Sequence, residues 1–425
     1  MVAIRSLLPL LIAAGILLGG NGLSSTLIAV RGAQEGMAPS MIGAMGTTYF
    51  IGFLIGCIFI PRILRSVGHI RTFAALASLA ACATLLTVMI IDPYVWMGLR
   101  LITGICFSGL FTTIESWLNS GVTNKTRGQV LALYRVIDIV VVAGAQFMMP
   151  VFGTGGFTLF AIMALMITFS VIPVALGDRS SPKPPDVFKF DLNKIWVISP
   201  LACIGCVAIG VTNSAFRFVG PLYAENIGLN LASLATFMSL GVVGGAVLQY
   251  PLGMLSDRYD RRWVLVGATA GAVVAGLILT FLGAADPLFI YAGVFLFGAF
   301  SLPLYSLSAA HANDRAKEDE YVLLAAGLMF FYGIGAMFGP PVSSVLLGQF
   351  GPSALFYFTS ATHGTLLILT LWRMRARASV PQADRGSFSM LIRTSPLMQK
   401  LARSRANGSN NHDQSATSNG RRKRL

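Results

Sequence analysis

The apolar runs constrain this chain more than any other feature of it. Twelve stretches, each near the length a helix needs to cross a bilayer, follow one another almost without pause. They lie at about 7–30, 40–61, 72–91, 94–118, 129–151, 154–177, 195–222, 231–255, 263–283, 287–310, 321–348 and 352–372. A spanning segment must satisfy its backbone internally, which leaves helix bundles and closed barrels. Barrel strands are short and alternate in polarity. These runs are long and evenly apolar, so they predict an all-α membrane protein of twelve transmembrane helices. The first run follows Arg5 and is too long for the apolar core of a signal peptide, so it reads as an uncleaved first span. Hydrophobic residues make up 55% of the 425 and charged residues only 11%, which excludes an ordinary soluble enzyme and a disordered protein.

The formal charge is nevertheless +14, and its placement decides what it means. With the N-terminus inside, the inside segments hold Arg5; Arg62, Arg65 and Arg71; Lys125 and Arg127; Arg179, Lys183, Lys189 and Lys194; Arg258, Arg261 and Arg262; Arg315 and Lys317. The outside loops hold only Arg31. This is the positive-inside pattern, and it predicts a multi-pass membrane protein with both termini cytoplasmic. The polar segment with Pro182, Pro184 and Pro185 separates two halves, 1–177 and 195–375, as a cytoplasmic linker over 178–194. The tail, 376–425, is basic and of low complexity, and it reads as disordered. Within it, Ser387 to Arg405 mixes apolar and basic residues, which suits the anionic lipid of the inner leaflet; plain disorder suits it equally. The Arg421–Arg424 cluster reads as part of a solvated tail, so no nucleic-acid partner is expected.

Glycines recur four apart at Gly15/Gly19, Gly52/Gly56, Gly241/Gly245 and Gly267/Gly271, a spacing that lets helix backbones approach in lipid. Five cysteines, Cys57, Cys82, Cys106, Cys203 and Cys206, lie in apolar runs and read as small packing residues. With one C-x-x-C and four His, neither a metal site nor a cofactor is expected.

Between the eighth and ninth runs stands Gly253-Met-Leu-Ser-Asp257-Arg258-Tyr-Asp-Arg261-Arg262. It resembles the loop signature of the major facilitator superfamily, G-x-L-[AS]-D-[RK]-x-G-[RK]-[RK], with Asp260 in place of the second glycine. The loop between the second and third runs keeps Gly68 and basic residues, but Arg65 stands where the acidic residue would be. A latch there cannot use that Asp. Arg100-x-x-x-Gly104-x-x-x-x-Gly109 looks like the superfamily's intramembrane Arg motif. The stretch Arg100 to Gln146, with Glu115-Ser116-Trp117 and Arg127-Gly128, resembles the YcaD-like branch of uncharacterised bacterial transporters. So does Pro303-Leu-Tyr305-Ser-Leu-Ser308-Ala-Ala-His311-Ala-Asn313-Asp314. The resemblance implies two pseudo-symmetric six-helix bundles and a secondary transporter for a small molecule in a bacterial inner membrane. It also implies that Arg100 acts in proton coupling or in the electrostatics of the substrate site.

A charge at mid-bilayer costs roughly 2.5–3.5 kcal/mol and needs a partner or a wet cavity. The candidates are Arg100, Glu115, Arg135, Asp138 and Arg217. Arg135 and Asp138 stand i, i+3 on one helix face and are expected to line a central cavity. Glu115 has two readings, an intramembrane carboxylate or an interfacial one clustered with Lys125 and Arg127. Arg217 also has two, attraction of an anionic group on the substrate or snorkelling to the outer interface. Asn21, Gln146, Gln249, Tyr305 and Ser308 are weaker cavity candidates. No nucleotide-binding fingerprint is present, so energy must come from a gradient, with protons carried by Asp138 or Glu115. The direction stays open, export included. No Ser–His pair in mid-span, H-E-x-x-H or Asp pair suggests an enzyme. The competing reading is a membrane receptor or scaffold of the same fold that moves nothing; the protein is expected to act as a monomer.

Overall fold

The computed structural model describes residues 2–120, 127–176, 191–282, 286–317, 320–376 and 381. Most of the 178–194 segment, the tail, and the side chains of Lys125 and Arg127 lie outside the described residues. The first half comprises α1 (Val2–Gln34), α2 (Pro39–Val67), α3 (His69–Met89), α4 (Pro93–Ser120), α5 (Arg127–Gln146), α6 (Met148–Phe152), α7 (Thr158–Phe169) and α8 (Val171–Leu176). The second comprises α9 (Leu192–Ile198), α10 (Pro200–Asn226), α11 (Leu231–Arg258), α12 (Arg261–Leu282), α13 (Pro287–Ser301), α14 (Leu304–Asn313), α15 (Tyr321–Phe350) and α16 (Ala354–Ala376). Together they provide twelve spans long and apolar enough to cross a membrane. We call the face where α1 begins the near face and the opposite one the far face.

Several apolar runs fold as two helical pieces. The fifth breaks at Phe147, the sixth at Ser170, and the tenth at Leu302-Pro303. A run of apolar residues does not report such breaks; a proline inside it, with no N–H to give, marks some of them. The run expected at 195–222 shifts for the same reason. α9 closes at Ile198, Ser199 caps the next helix by accepting from the Ala202 N–H at 3.3 Å, and Pro200 occupies its first turn. That helix then continues to Asn226.

The two halves repeat one packing scheme. In the first, α1 packs on α5 and α7, α2 on α4, and α3 on α4 and α7. In the second, α10 packs on α15 and α16, α11 on α13, and α12 on α13 and α16. The interface obeys the same pseudo-two-fold: α2 meets α15 and α5 meets α11, with α1 against α10 near the axis. Closest approaches depend on glycine. A Cβ on Gly298 would overlap the backbone carbonyl of Gly241, and one on Gly104 that of Tyr49. Large apolar side chains such as Phe281, Phe350, Val151 and Leu176 stand exposed on the outside, a surface that suits lipid and not water.

Candidate functional site

A cavity of about 230 Å³ lies between the halves. The first half lines it with Leu18, Asn21 and Thr26 of α1, Tyr49, Phe50 and Phe53 of α2, Phe111 of α4, and Arg135, Asp138 and Gln146 of α5. The second lines it with Asn213, Ser214, Phe216 and Arg217 of α10, Met238 and Val242 of α11, and Met329 and Tyr332 of α15. The wall is therefore aromatic and aliphatic, with polar groups at a few points.

Arg135 and Asp138, one helical turn apart, form an ion pair at 2.7 Å, each side chain under one-fifth exposed. The same guanidinium donates to Gln249 Oε1 of α11 at 3.0 Å, and Gln249 Nε2 donates to Ser306 Oγ at 2.9 Å. This chain of contacts links α5 to α11 and α14, so a charge pair of one half is tied to neutral groups of the other. Gln146 donates to the Gly22 carbonyl at 3.1 Å, which fixes α5 to α1 and leaves its Oε1 with no donor. Asn21 Oδ1 accepts from Tyr49 Oη at 3.3 Å.

Arg217 crosses between halves. Its Nε donates to Ser25 Oγ at 3.3 Å and its Nη2 to the Asn21 carbonyl at 3.2 Å. It faces the cavity rather than an outer interface. Arg100 lies just behind the wall. It is 2% exposed, donates to Ser24 Oγ at 2.9 Å, and sits over the rings of Tyr49 at 4.4 Å and Phe218 at 5.4 Å. Such ring faces attract a cation, more strongly when it is desolvated. Glu115 is fully buried in α4 and is not part of the cavity wall. Tyr305 is also behind the wall, edge-on to Tyr332 at 5.7 Å. Ser308 is buried and likewise set back. Nothing in the sequence pattern marks Tyr49 and Phe218. A Tyr49/Phe53 pair at i, i+4 shares a helix face, but an aromatic stripe in an apolar run reads as packing.

At the near face the loop motif becomes a network. Arg261 reaches Asp257 at 3.2 Å and Ser256 Oγ at 3.2 Å, and its Nε pairs with Asp314 at 2.6 Å. Arg262 clasps Asp260 at 2.7 Å. Gly253 is buried in α11, and Arg258 is exposed. The corresponding corner of the first half has no such carboxylate: Gly68 turns the chain at φ 89, a conformation that favours glycine. His69 then bonds Ser116 Oγ at 3.0 Å. Also on this face, Lys194 pairs with Glu320 at 2.9 Å. The Lys317 backbone N–H and the Lys194 ammonium hold the Glu320 carboxyl below its usual range.

Twelve spans, two halves related by a pseudo-two-fold and a cavity between them define a membrane transporter. A sequence model described as the Major Facilitator Superfamily matches residues 10–249 and 201–407, and the chain belongs to that family. It is 25% identical to an "Uncharacterized MFS-type transporter" of Yersinia pestis (strain Pestoides F), over 82% of this chain and 90% of that protein. It is 24% identical to the "Uncharacterized MFS-type transporter YcaD" of Escherichia coli O45:K1, again over 82% and 90%. Among solved structures, a mutant form of the nucleoside transporter NupG aligns with a TM-score of 0.75 at 10% identity, over 86% of this chain and 99% of that one. A bacterial homolog of the human lysosomal transporter Spinster, inward-facing and unoccupied, aligns at 0.68 and 10% identity, over 87% and 95%. At these identities the structures share the fold.

Proposed function

We propose that this transporter works by alternating access, carries a small solute through the cavity between its halves, and is driven by protons through Asp138. One observation carries the reading: both halves wall a single cavity, and polar contacts join them on its far-face side. Thr47 of α2 donates to the Met337 carbonyl of α15 at 2.8 Å. Its pseudo-symmetric counterpart is Ser239 of α11, which donates to the Ala143 carbonyl of α5 at 2.7 Å. Rocking the halves about the cavity would break these ties and open the far face. The same motion would draw Gln249 away from Arg135 and disturb its hold on Asp138. A carboxylate that loses its cation in a low dielectric takes up a proton, and one that regains it lets the proton go. The near face is the cytoplasmic one in this reading, since most loop arginines and lysines stand there. One chain walls the whole cavity, so the transporting unit is a monomer, and no covalent chemistry is assigned to it.

The test is solute-linked proton flux in proteoliposomes across a metabolite panel. Wild type should accumulate its solute against a gradient when a pH difference is imposed. Asp138→Asn should lose that accumulation and keep solute exchange. Uphill, pH-driven transport by Asp138→Asn would rule out this residue as the carrier. A receptor that moves nothing would show no exchange at all.

A further inference from the structure

We propose that the solute is a small organic anion with an oxyanion head, bound by Arg217 and Asn213 with Arg100 behind them, and an apolar body against the phenylalanine wall. The proposal rests on the transporter reading and adds the chemistry of its cargo.

Charge carries the argument. Arg100 and Arg217 lie inside the bundle, in the far-face parts of α4 and α10, and every hydrogen-bond acceptor they have among the described residues is neutral. Arg100 uses one nitrogen on Ser24 Oγ, while its buried Nε and Nη2 have no acceptor. Arg217 holds a hydroxyl and a peptide carbonyl. The carboxylate of the cavity, Asp138, is already engaged by Arg135 at 2.7 Å. Glu115 stands fifteen residues along α4 from Arg100, about 22 Å in a helix. The site therefore has one cation in its wall and a second just behind it, with no further acid among the described residues to balance them, in surroundings where an unbalanced charge is costly. An anion supplied from outside balances them; a neutral or cationic solute leaves the cost in place or adds to it.

Geometry points the same way. Asn213 and Arg217 are one turn apart on α10, so their side chains share a face, and both line the cavity. Asn213 Nδ2 is buried with no acceptor, a second donor beside the guanidinium for a two-oxygen head. The same wall carries Phe50, Phe53, Phe111 and Phe216, an apolar surface for the rest of the molecule. An anion that takes the Arg217 guanidinium also competes with Asn21 and Ser25, the contacts by which Arg217 holds the two halves together. Binding and release of the halves are thereby linked.

Carboxylates and phosphate monoesters share this head-group chemistry. The experiment is thermal unfolding of the purified full-length protein with matched sets: benzoate, phenyl phosphate, benzamide and benzylamine, and the corresponding hexyl series. At least one anion should raise the melting temperature, and the carboxylate and phosphate arms identify the head. The amides and amines should not. Arg217→Gln should weaken that anion's apparent affinity about tenfold or more, the loss of one charged hydrogen-bond set. Arg217→Lys should restore part of it, and the unliganded melting temperatures of both variants report whether they fold. Protection by neutral or cationic members only, by none, or by anions equally in wild type and a folded Arg217→Gln would overturn the proposal. Counterflow of any protecting compound separates the two claims. A neutral compound that is exchanged keeps the transporter and removes the anion, whereas an anion that protects without exchange does the reverse.

Discussion

Arg261 meets two acids that differ in what surrounds them. Its pair with Asp314 is closed to water, with both side chains 3% exposed, whereas Asp257 is 38% exposed. Removing one member of a buried pair strands the other charge and costs about 3–5 kcal/mol, while an exposed pair is worth about 1 kcal/mol or less. Asp314→Ala should therefore lower the thermal unfolding midpoint in detergent far more than Asp257→Ala does. Replacing both Arg261 and Asp314 with apolar residues of similar volume should recover most of the loss. Equal effects of the two single variants would show that the two pairs are not distinguished by burial. The family motif points to Asp257, because motif and carboxylate share one short stretch of chain. Asp314 follows 53 residues after Arg261 and reaches it only when α14 ends beside the start of α12, so its sequence context describes a helix cap and nothing more. Arg135 and Asp138 were legible for the opposite reason, since a one-turn spacing places both on one face without any tertiary information. The aromatic cradle of Arg100 was not, since Tyr49 and Phe218 come from different halves.

Helices in this bundle approach as closely as their smallest residues permit. Gly298 of α13 lies against the Gly241 carbonyl of α11, and Gly104 of α4 against the Tyr49 carbonyl of α2. These are the pseudo-symmetric contacts of the second and fourth spans of each half. A methyl group there meets backbone, which cannot rotate aside. Gly298→Ala and Gly104→Ala should each destabilise by roughly 1–3 kcal/mol, the usual cost of overpacking. Gly267 of α12, in contrast, faces open space. Gly267→Ala should be neutral or stabilise by about 0.4–1 kcal/mol through the unfolded chain. Melting temperatures of the three variants check this, and an equal loss in all three would contradict it. The four-residue glycine spacing announced close packing at Gly52/Gly56 and Gly241/Gly245, yet the same spacing at Gly267/Gly271 does not act as a pair. Spacing identifies a face of a helix, and only the fold says what that face meets.

Two halves repeating one packing scheme meet through equivalent helix pairs on the two sides of the cavity. α2 against α15 and α5 against α11 occupy corresponding places, and their ties through Thr47 and Ser239 lie toward the far face. If the halves rock during transport, this far-face seam must open once per cycle. A Cβ placed on Gly46 would stand 2.8 Å from the Pro340 Cβ, so a shift of roughly 1 Å brings cysteines at 46 and 340 to disulfide distance. In a protein freed of its five native cysteines, Gly46→Cys with Pro340→Cys should cross-link under mild oxidant. Cross-linking should abolish exchange of whichever solute the uncross-linked protein exchanges, and reductant should restore it. Charge distinguishes the two halves where packing does not. The near-face corner of α11 and α12 carries Asp257, Arg261 and Asp314, while the corner of α2 and α3 relies on the uncharged contact of His69 with Ser116. The two halves are thus alike in packing and unlike in charge. Exchange that persisted through the disulfide would mean that solute passes without the halves separating there.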